Sequence, residues 1–190
     1  RWAFQFENPM EFLINWHVLR RRDPVVVRYQ GFEVCIDAES SDAHVVTEVL
    51  VQGMYDETIR QAAMGKTSFS YINLGAHIGT FDIRVAQLVP YLRRGLAVEM
   101  NPLNYGRLLL NLGRNRLQTI HALNAGVWDS VGEMRIKDQE RGTSQICSPA
   151  PDSEQGRMVL LVTWREIVKA FGTGMPVDLL KIDIEGCEGK

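Results

Sequence analysis

Residues 68–81 read Ser-Phe-Ser-Tyr-Ile-Asn-Leu-Gly-Ala-His-Ile-Gly-Thr-Phe. The run over 68–74 has the apolar and aromatic content of a buried strand, and it leads directly into Gly75-Ala76-His77-Ile78-Gly79. Residues 80–89 then carry helical spacing until Pro90 forbids continuation. A strand, a glycine turn and a helix in that order open a βα unit. Its glycines let the backbone approach a ligand closely, and the turn's N–H groups can face an acceptor. The glycines are spaced GxxxG, whereas the dinucleotide fingerprint is GxGxxG, whose middle glycine makes room for a pyrophosphate, so NAD is disfavoured.

Working outward, residues 96–100 form a second apolar strand containing Glu99, and Pro102 sits where a helix accepts proline, in its first turn. Further strands are expected over 119–127, 133–137 and 159–163. A polar Ser/Pro/Gly-rich loop occupies 142–156, a helix 164–171, and a buried strand 177–184. Strands alternating with helices argue for an α/β, doubly wound, mostly parallel sheet, because parallel strands need crossover connections. Ligands in such sheets sit beyond the carboxyl ends of the strands, where strand order reverses. Upstream, 9–22 has the spacing of an amphipathic helix. The runs 25–29 and 32–36 flank Gln30-Gly31 as a hairpin. Ser41 or Asp42 caps a helix through Leu50, Gly53 interrupts, and helical spacing resumes over 55–64. Residues 1–66 thus form a small cap, and 67–190 the α/β core.

The composition suits a globular domain: 190 residues, 45% hydrophobic, 23% charged, with 21 Lys and Arg against 23 Asp and Glu. That balance supplies no basic field for a phosphate backbone, so nucleic acid is not an expected partner. No stretch approaches the roughly 18 apolar residues of a membrane span. Cys35, Cys147 and Cys187 are odd in number and lack CxxC spacing, which suggests neither disulfides nor zinc and points to a cytoplasmic location. The chain opens on Arg1 and stops shortly after a strand pattern. The expectation is a piece of a longer product whose sheet is incomplete at the C-terminal side. Such a chain alone should be marginally stable, with an exposed strand edge.

Three features carry chemistry. The glycine turn is the first. Glu99, twenty residues after Gly79 and at a strand end, is placed to accept both hydroxyls of a ribose. Asp183, Glu185 and Glu188 crowd the end of what reads as a central strand. Like charges there need a cationic sulfonium, a substrate hydroxyl, a metal, or simple compensation by Lys181 and solvent.

The segments Tyr71 to Phe81, Val98-Glu-Met-Asn-Pro102, Asn111 and Asn115, Asn124-Ala-Gly-Val127, Gly142-Thr-Ser144 and Leu180-Lys-Ile-Asp-Ile-Glu-Gly-Cys-Glu188 resemble, in order and spacing, the motifs of the FkbM-type methyltransferases. Gly53-Met-Tyr-Asp-Glu57 resembles the segment before the first core strand of that family, and the likeness covers roughly residues 45–188. The resemblance implies a Rossmann-like domain that binds S-adenosyl-L-methionine and methylates an oxygen of a sugar or natural-product acceptor. It implies that Gly75 and Gly79 cradle the methionine end and that Glu99 holds the ribose. Met100 and Asn101 would lie beside the adenine, Asn124 and Ala125 at its edge, and Asp183 near the sulfonium and the acceptor. Two residues depart from the pattern. Asn73 stands where an acidic residue is usual, losing a charge for the ammonium group, and His77 stands where Asn is usual.

Methyl transfer depends mostly on alignment of acceptor, methyl and sulfur. Asp183 or Glu185 is therefore expected to orient or deprotonate the acceptor hydroxyl, a task a divalent metal on the same residues would also perform. No metal site is read from the chain itself. A nucleotide-binding oxidoreductase and a non-catalytic binding module are the competing readings. Neither the acceptor nor the oligomeric state is legible.

Overall fold

The computed structural model of the chain describes residues 2–10, 14, 24–37, 39–136 and 157–184. The helix expected over 9–22 falls mostly outside them, and the loop 142–156, Glu185 and Glu188 wholly so.

A short 3₁₀ helix (Trp2–Gln5) comes first, and a hairpin follows of β1 (Val25–Tyr29) and β2 (Phe32–Ile36), antiparallel with Tyr29 opposite Phe32. Gln30 and Gly31 both have positive φ, 49° and 77°, which is the two-residue turn whose twist matches the flanking strands. Helix α1 (Asp42–Val46) runs into a π-helical turn (Thr47–Val51), and α2 spans Asp56–Ala63. The core follows as β3 (Phe69–Leu74), α3 (Thr80–Leu88), β4 (Leu92–Glu99), α4 (Pro102–Arg114) and β5 (Ile120–Asn124). Then come β6 (Gly126–Val127), β7 (Gly132–Ile136), β8 (Arg157–Val162), α5 (Trp164–Phe171) and β9 (Leu179–Ile182).

The main sheet is parallel, in the order β5-β4-β3-β9. All six residues of β3 are buried, as a strand covered on both faces requires. Alternation with period two sends Tyr71 and Ala97 to one face, packed on Ile59 of α2, Phe81 and Val85 of α3 and Leu108 of α4. Ile72, Leu74, Leu96 and Val98 face the other way, against Ile167 and Phe171 of α5. From β3 the chain crosses to β4 on one side, and β9 returns on the other. Strand order therefore reverses at the carboxyl ends of β3 and β9.

Three expectations need correction. Strand β4 begins at Leu92, four residues early, because ladder pairing of Phe69 with Leu92 and Ser70 with Arg94 continues through charged residues that break the apolar pattern. The strand expected over 119–127 is two: β5 ends at Asn124, Ala125 donates its N–H to the Glu99 carbonyl, and β6 joins β8 in a second, three-stranded sheet completed by β7. The strand expected over 177–184 is the four-residue β9. It is no central strand among the described residues but an edge, with Leu180 and Ile182 41% and 50% exposed.

The N-terminal segment is joined to the core by two asparagines four residues apart, Asn111 in α4 and Asn115 at its C-terminal cap. Asn111 accepts from the Cys35 N–H (2.6 Å) and donates to the Cys35 carbonyl (3.2 Å) and the Ile78 carbonyl (2.8 Å). Asn115 accepts from the Glu33 N–H (2.9 Å) and donates to the Glu33 carbonyl (2.7 Å). Each amide does for one edge residue of β2 what a neighbouring strand would do. The apolar cluster beneath the hairpin likewise includes Ile78 and Ile83 of the core. Asn111→Leu keeps the shape but leaves buried peptide groups unpaired. It is expected to cost about 3 kcal/mol in urea unfolding; an unchanged midpoint would mean that packing alone docks the hairpin.

Candidate functional site

At the reversal point the segments after β3 and β9 touch. Asp183 donates its N–H to the Leu74 carbonyl at 3.0 Å. Gly75 has φ +77°, and a Cβ there would lie 1.9 Å from the Asp183 carbonyl oxygen. Only glycine permits both that conformation and that approach. Gly79, at φ +84°, ends the turn as the residue preceding α3, with Leu108 filling the space a side chain would need.

A cavity of about 200 Å³ opens over this contact. Its wall includes Gly75 and His77 of the turn, Glu99 at the end of β4 and Met100 after it, Ala125, and Lys181 and Asp183 of the β9 end. The N-terminal segment closes it with Ser41, Val45, Val49 and Tyr55. Six of the residues singled out from the sequence therefore converge on one space: Gly75, His77, Glu99, Met100, Ala125 and Asp183.

Glu99 is 8% exposed. Each of its carboxylate oxygens accepts one backbone N–H at 2.7 Å, Oε2 from His77 and Oε1 from Asn101. The two bonds fix the carboxylate, and a hydrogen bond with the Asn104 side chain holds it further. Burial raises its pKa above the ordinary value, opposed by those two N–H groups.

Four singled-out residues do not line the cavity. Gly79 shapes the turn. Asn101 caps α4, its Oδ1 accepting from the Leu103 and Asn104 N–H groups. Asn124 donates to the Glu99 and Met100 carbonyls at 2.7 and 3.1 Å, which fixes the segment carrying both. Asn73 points to the α3 face, where its Nδ2 donates to Asp82 Oδ2 at 2.9 Å, while Tyr71 donates its hydroxyl to Oδ1 at 2.7 Å.

The turn corrects one expectation. Its amides are largely committed within the protein: the Gly75 and Ala76 N–H groups both go to the Val98 carbonyl, His77 to Glu99, and Gly79 to the Ala76 carbonyl. They position the turn rather than face an incoming acceptor.

His77 has positive φ, 53°, a conformation that favours glycine and, among other residues, Asn, Asp and His. Its Nε2 lies 3.3 Å from Oδ1 of the buried Asp42, whose Oδ2 is 3.1 Å from the Arg107 Nε. Burial lowers the His77 pKa; Asp42 pulls it up, while Arg107 and Lys181 push it down. Arg107 already neutralises Asp42, so the imidazole remains neutral at pH 7.

Lys181 and the residues of the N-terminal segment were not singled out as binding groups. The signal for Lys181 was present, since side chains two apart on a strand share a face and Asp183 follows at that spacing. The position of Tyr55 depends on long-range contacts. Arg84 of α3 grips Asp56 in a two-pronged ion pair (2.6 and 2.5 Å), and Tyr55 stacks edge-on against Phe81 at 5.2 Å.

No protein-family model matches the chain, and no curated protein does. Several solved structures are partly similar. TYW2 of M. jannaschii in complex with AdoMet is 23% identical with a TM-score of 0.41, over 55% of this chain and 44% of that one. Trm5b of Pyrococcus abyssi is 17% identical with a TM-score of 0.40, over 54% and 28%. A coclaurine N-methyltransferase bound to N-methylheliamine and SAH is 20% identical with a TM-score of 0.34, over 44% and 22%. The chain thus spans less than half the length of each. The site is read from its own residues. Among those described, no helix is long and apolar enough to cross a membrane, and no group of three His, Cys, Asp or Glu stands ready to hold a metal ion.

Proposed function

We propose that this cavity binds S-adenosyl-L-methionine and that the chain carries the catalytic core of a methyltransferase acting on a hydroxyl of a small-molecule or glycan acceptor. The observation that carries the reading is the convergence of three elements at one reversal point: a glycine turn without room for a Cβ, a fixed buried carboxylate and a carboxylate at the end of β9. The motif resemblance to the FkbM-type methyltransferases supports the same reading.

The residues fit the cofactor part by part. Glu99 presents a fixed, buried carboxylate at the cavity wall, an acceptor suited to a ribose hydroxyl. Met100, Ala125 and Val127 offer an apolar wall for a purine. When bound, the cofactor supplies a methyl group on a positively charged sulfur. The chain's own residues then hold, align and exclude water. Asp183, whose side chain is 58% exposed at the cavity wall, is the group that orients the acceptor hydroxyl and takes up its proton. Ser41, Val45, Val49 and Tyr55 roof the cavity on the acceptor side.

Calorimetric titration with S-adenosylhomocysteine tests this. Binding is expected, with Glu99→Ala weakening it at least tenfold, about 1.4 kcal/mol. Asp183→Asn should stay within tenfold for binding while abolishing turnover. Binding of NAD in place of S-adenosylhomocysteine, or of neither by the folded protein, would overturn the reading.

A further inference from the structure

Any ligand with an amino-acid tail brings a carboxylate into this cavity, and that anion needs a donor. Most of the usual candidates in a βα turn are spent. The N–H groups of Gly75, Ala76, His77 and Gly79 are bonded within the protein, and the first turn of α3 carries a buried acidic residue, Asp82, which disfavours a second anion there. His77 is neutral. Among the described residues, Lys181 is the only Lys or Arg lining the cavity.

Lys181 is also held in place. Its side chain is 11% exposed. The Nζ donates to the Gly75 carbonyl at 3.3 Å and to Asp183 Oδ2 at 3.2 Å. It lies 5.8 and 5.9 Å from the ring centroids of Phe81 and Tyr55, close enough for the ring faces to favour a cation. An ammonium has three hydrogens, and two are used.

Resting on the reading above, we propose that the third hydrogen of Lys181 binds the carboxylate of the ligand's amino-acid tail, making Lys181 the anion anchor of the site. Lys181 meets the tail's carboxylate from beside Gly75, while its bond to Asp183 fixes the ammonium group of Lys181 itself in place. This arrangement also accounts for a methionine end that is bound although residue 73 is an uncharged Asn directed elsewhere.

Three ligands that share the adenosine but differ in the tail test it on the intact protein. They are S-adenosylhomocysteine, its decarboxylated analogue 5′-(3-aminopropylthio)adenosine, and 5′-methylthioadenosine. The unaltered protein is expected to prefer S-adenosylhomocysteine over the decarboxylated analogue at least tenfold, a charge-assisted hydrogen bond's contribution. Lys181→Met should abolish that preference and leave 5′-methylthioadenosine binding within threefold, whereas Lys181→Arg should keep most of it. Preference retained in Lys181→Met, or an equal loss on all three ligands, overturns the proposal while leaving the cofactor reading intact. No preference in the unaltered protein also overturns it, which needs no variant to fold. Failure of all three ligands to bind the unaltered protein removes the cofactor reading itself.

Discussion

Gly75→Ala is expected to destabilise the protein by about 3 kcal/mol and to weaken S-adenosylhomocysteine at least tenfold. Two costs add. A non-glycine residue at φ +77° is strained by about 1 kcal/mol. The new Cβ would stand 1.9 Å from the Asp183 carbonyl oxygen, and the obstructing atom is backbone rather than the movable end of a side chain. Relief requires the segments after β3 and β9 to separate, an overpacking cost of about 1–3 kcal/mol. Separation also breaks the Asp183 N–H bond to Leu74 and moves Lys181 from the Gly75 carbonyl. Stability and binding should therefore fall together. Urea unfolding with calorimetry checks this, and normal affinity in a destabilised variant would mean that the contact is structural only.

Asn73→Asp, which introduces the acidic residue of the resembled motif, is expected to destabilise the protein by about 3 kcal/mol at pH 7. Asn73 is fully buried and donates to Asp82, a buried carboxylate whose pKa is already raised by desolvation. An aspartate there removes the donor and sets two carboxylates side by side, so one must hold a proton. The sign with pH follows. The pair's folded-state pKa lies above the unfolded carboxylate value, so the folded protein binds more protons and the deficit shrinks as pH falls from 7 toward about 4. Asp82→Asn added to Asn73→Asp returns the pair to a single carboxylate and should recover most of the loss. Equal unfolding midpoints for Asn73→Asp and the unaltered protein between pH 5 and 8 would show that the two side chains are not coupled.

The βα reading of residues 68–90, the hairpin at Gln30-Gly31 and the helix beginning at Pro102 were legible because each rests on local signals: a buried apolar run, a pair of turn residues, a proline where only a first turn accepts it. Glu99 and Asp183 drew attention because both end apolar strand patterns, and both line the cavity. What failed was non-local. Nothing near residue 92 announces that β4 begins there, since backbone pairing with β3 carries the strand through Arg93 and Arg94. Nor does the run over 119–127 announce its change of sheet at Ala125. The placing of β9 at an edge depends on what pairs beside it, which no local pattern encodes.

Sequence alone determined the α/β class, the glycine turn and the carboxylates that end the strands, because strand and helix periodicity and the backbone freedom of glycine are properties of neighbouring residues. Tertiary structure decided the rest. It turned Asn73 toward Asp82, committed most of the turn's N–H groups inside the protein, and brought Ser41 and Tyr55 to the same cavity as Lys181, more than a hundred residues away in the chain. Those outcomes depend on which buried polar group finds which partner across the packed core, and hydrogen-bond satisfaction in a water-free interior is settled only when the whole chain is in place.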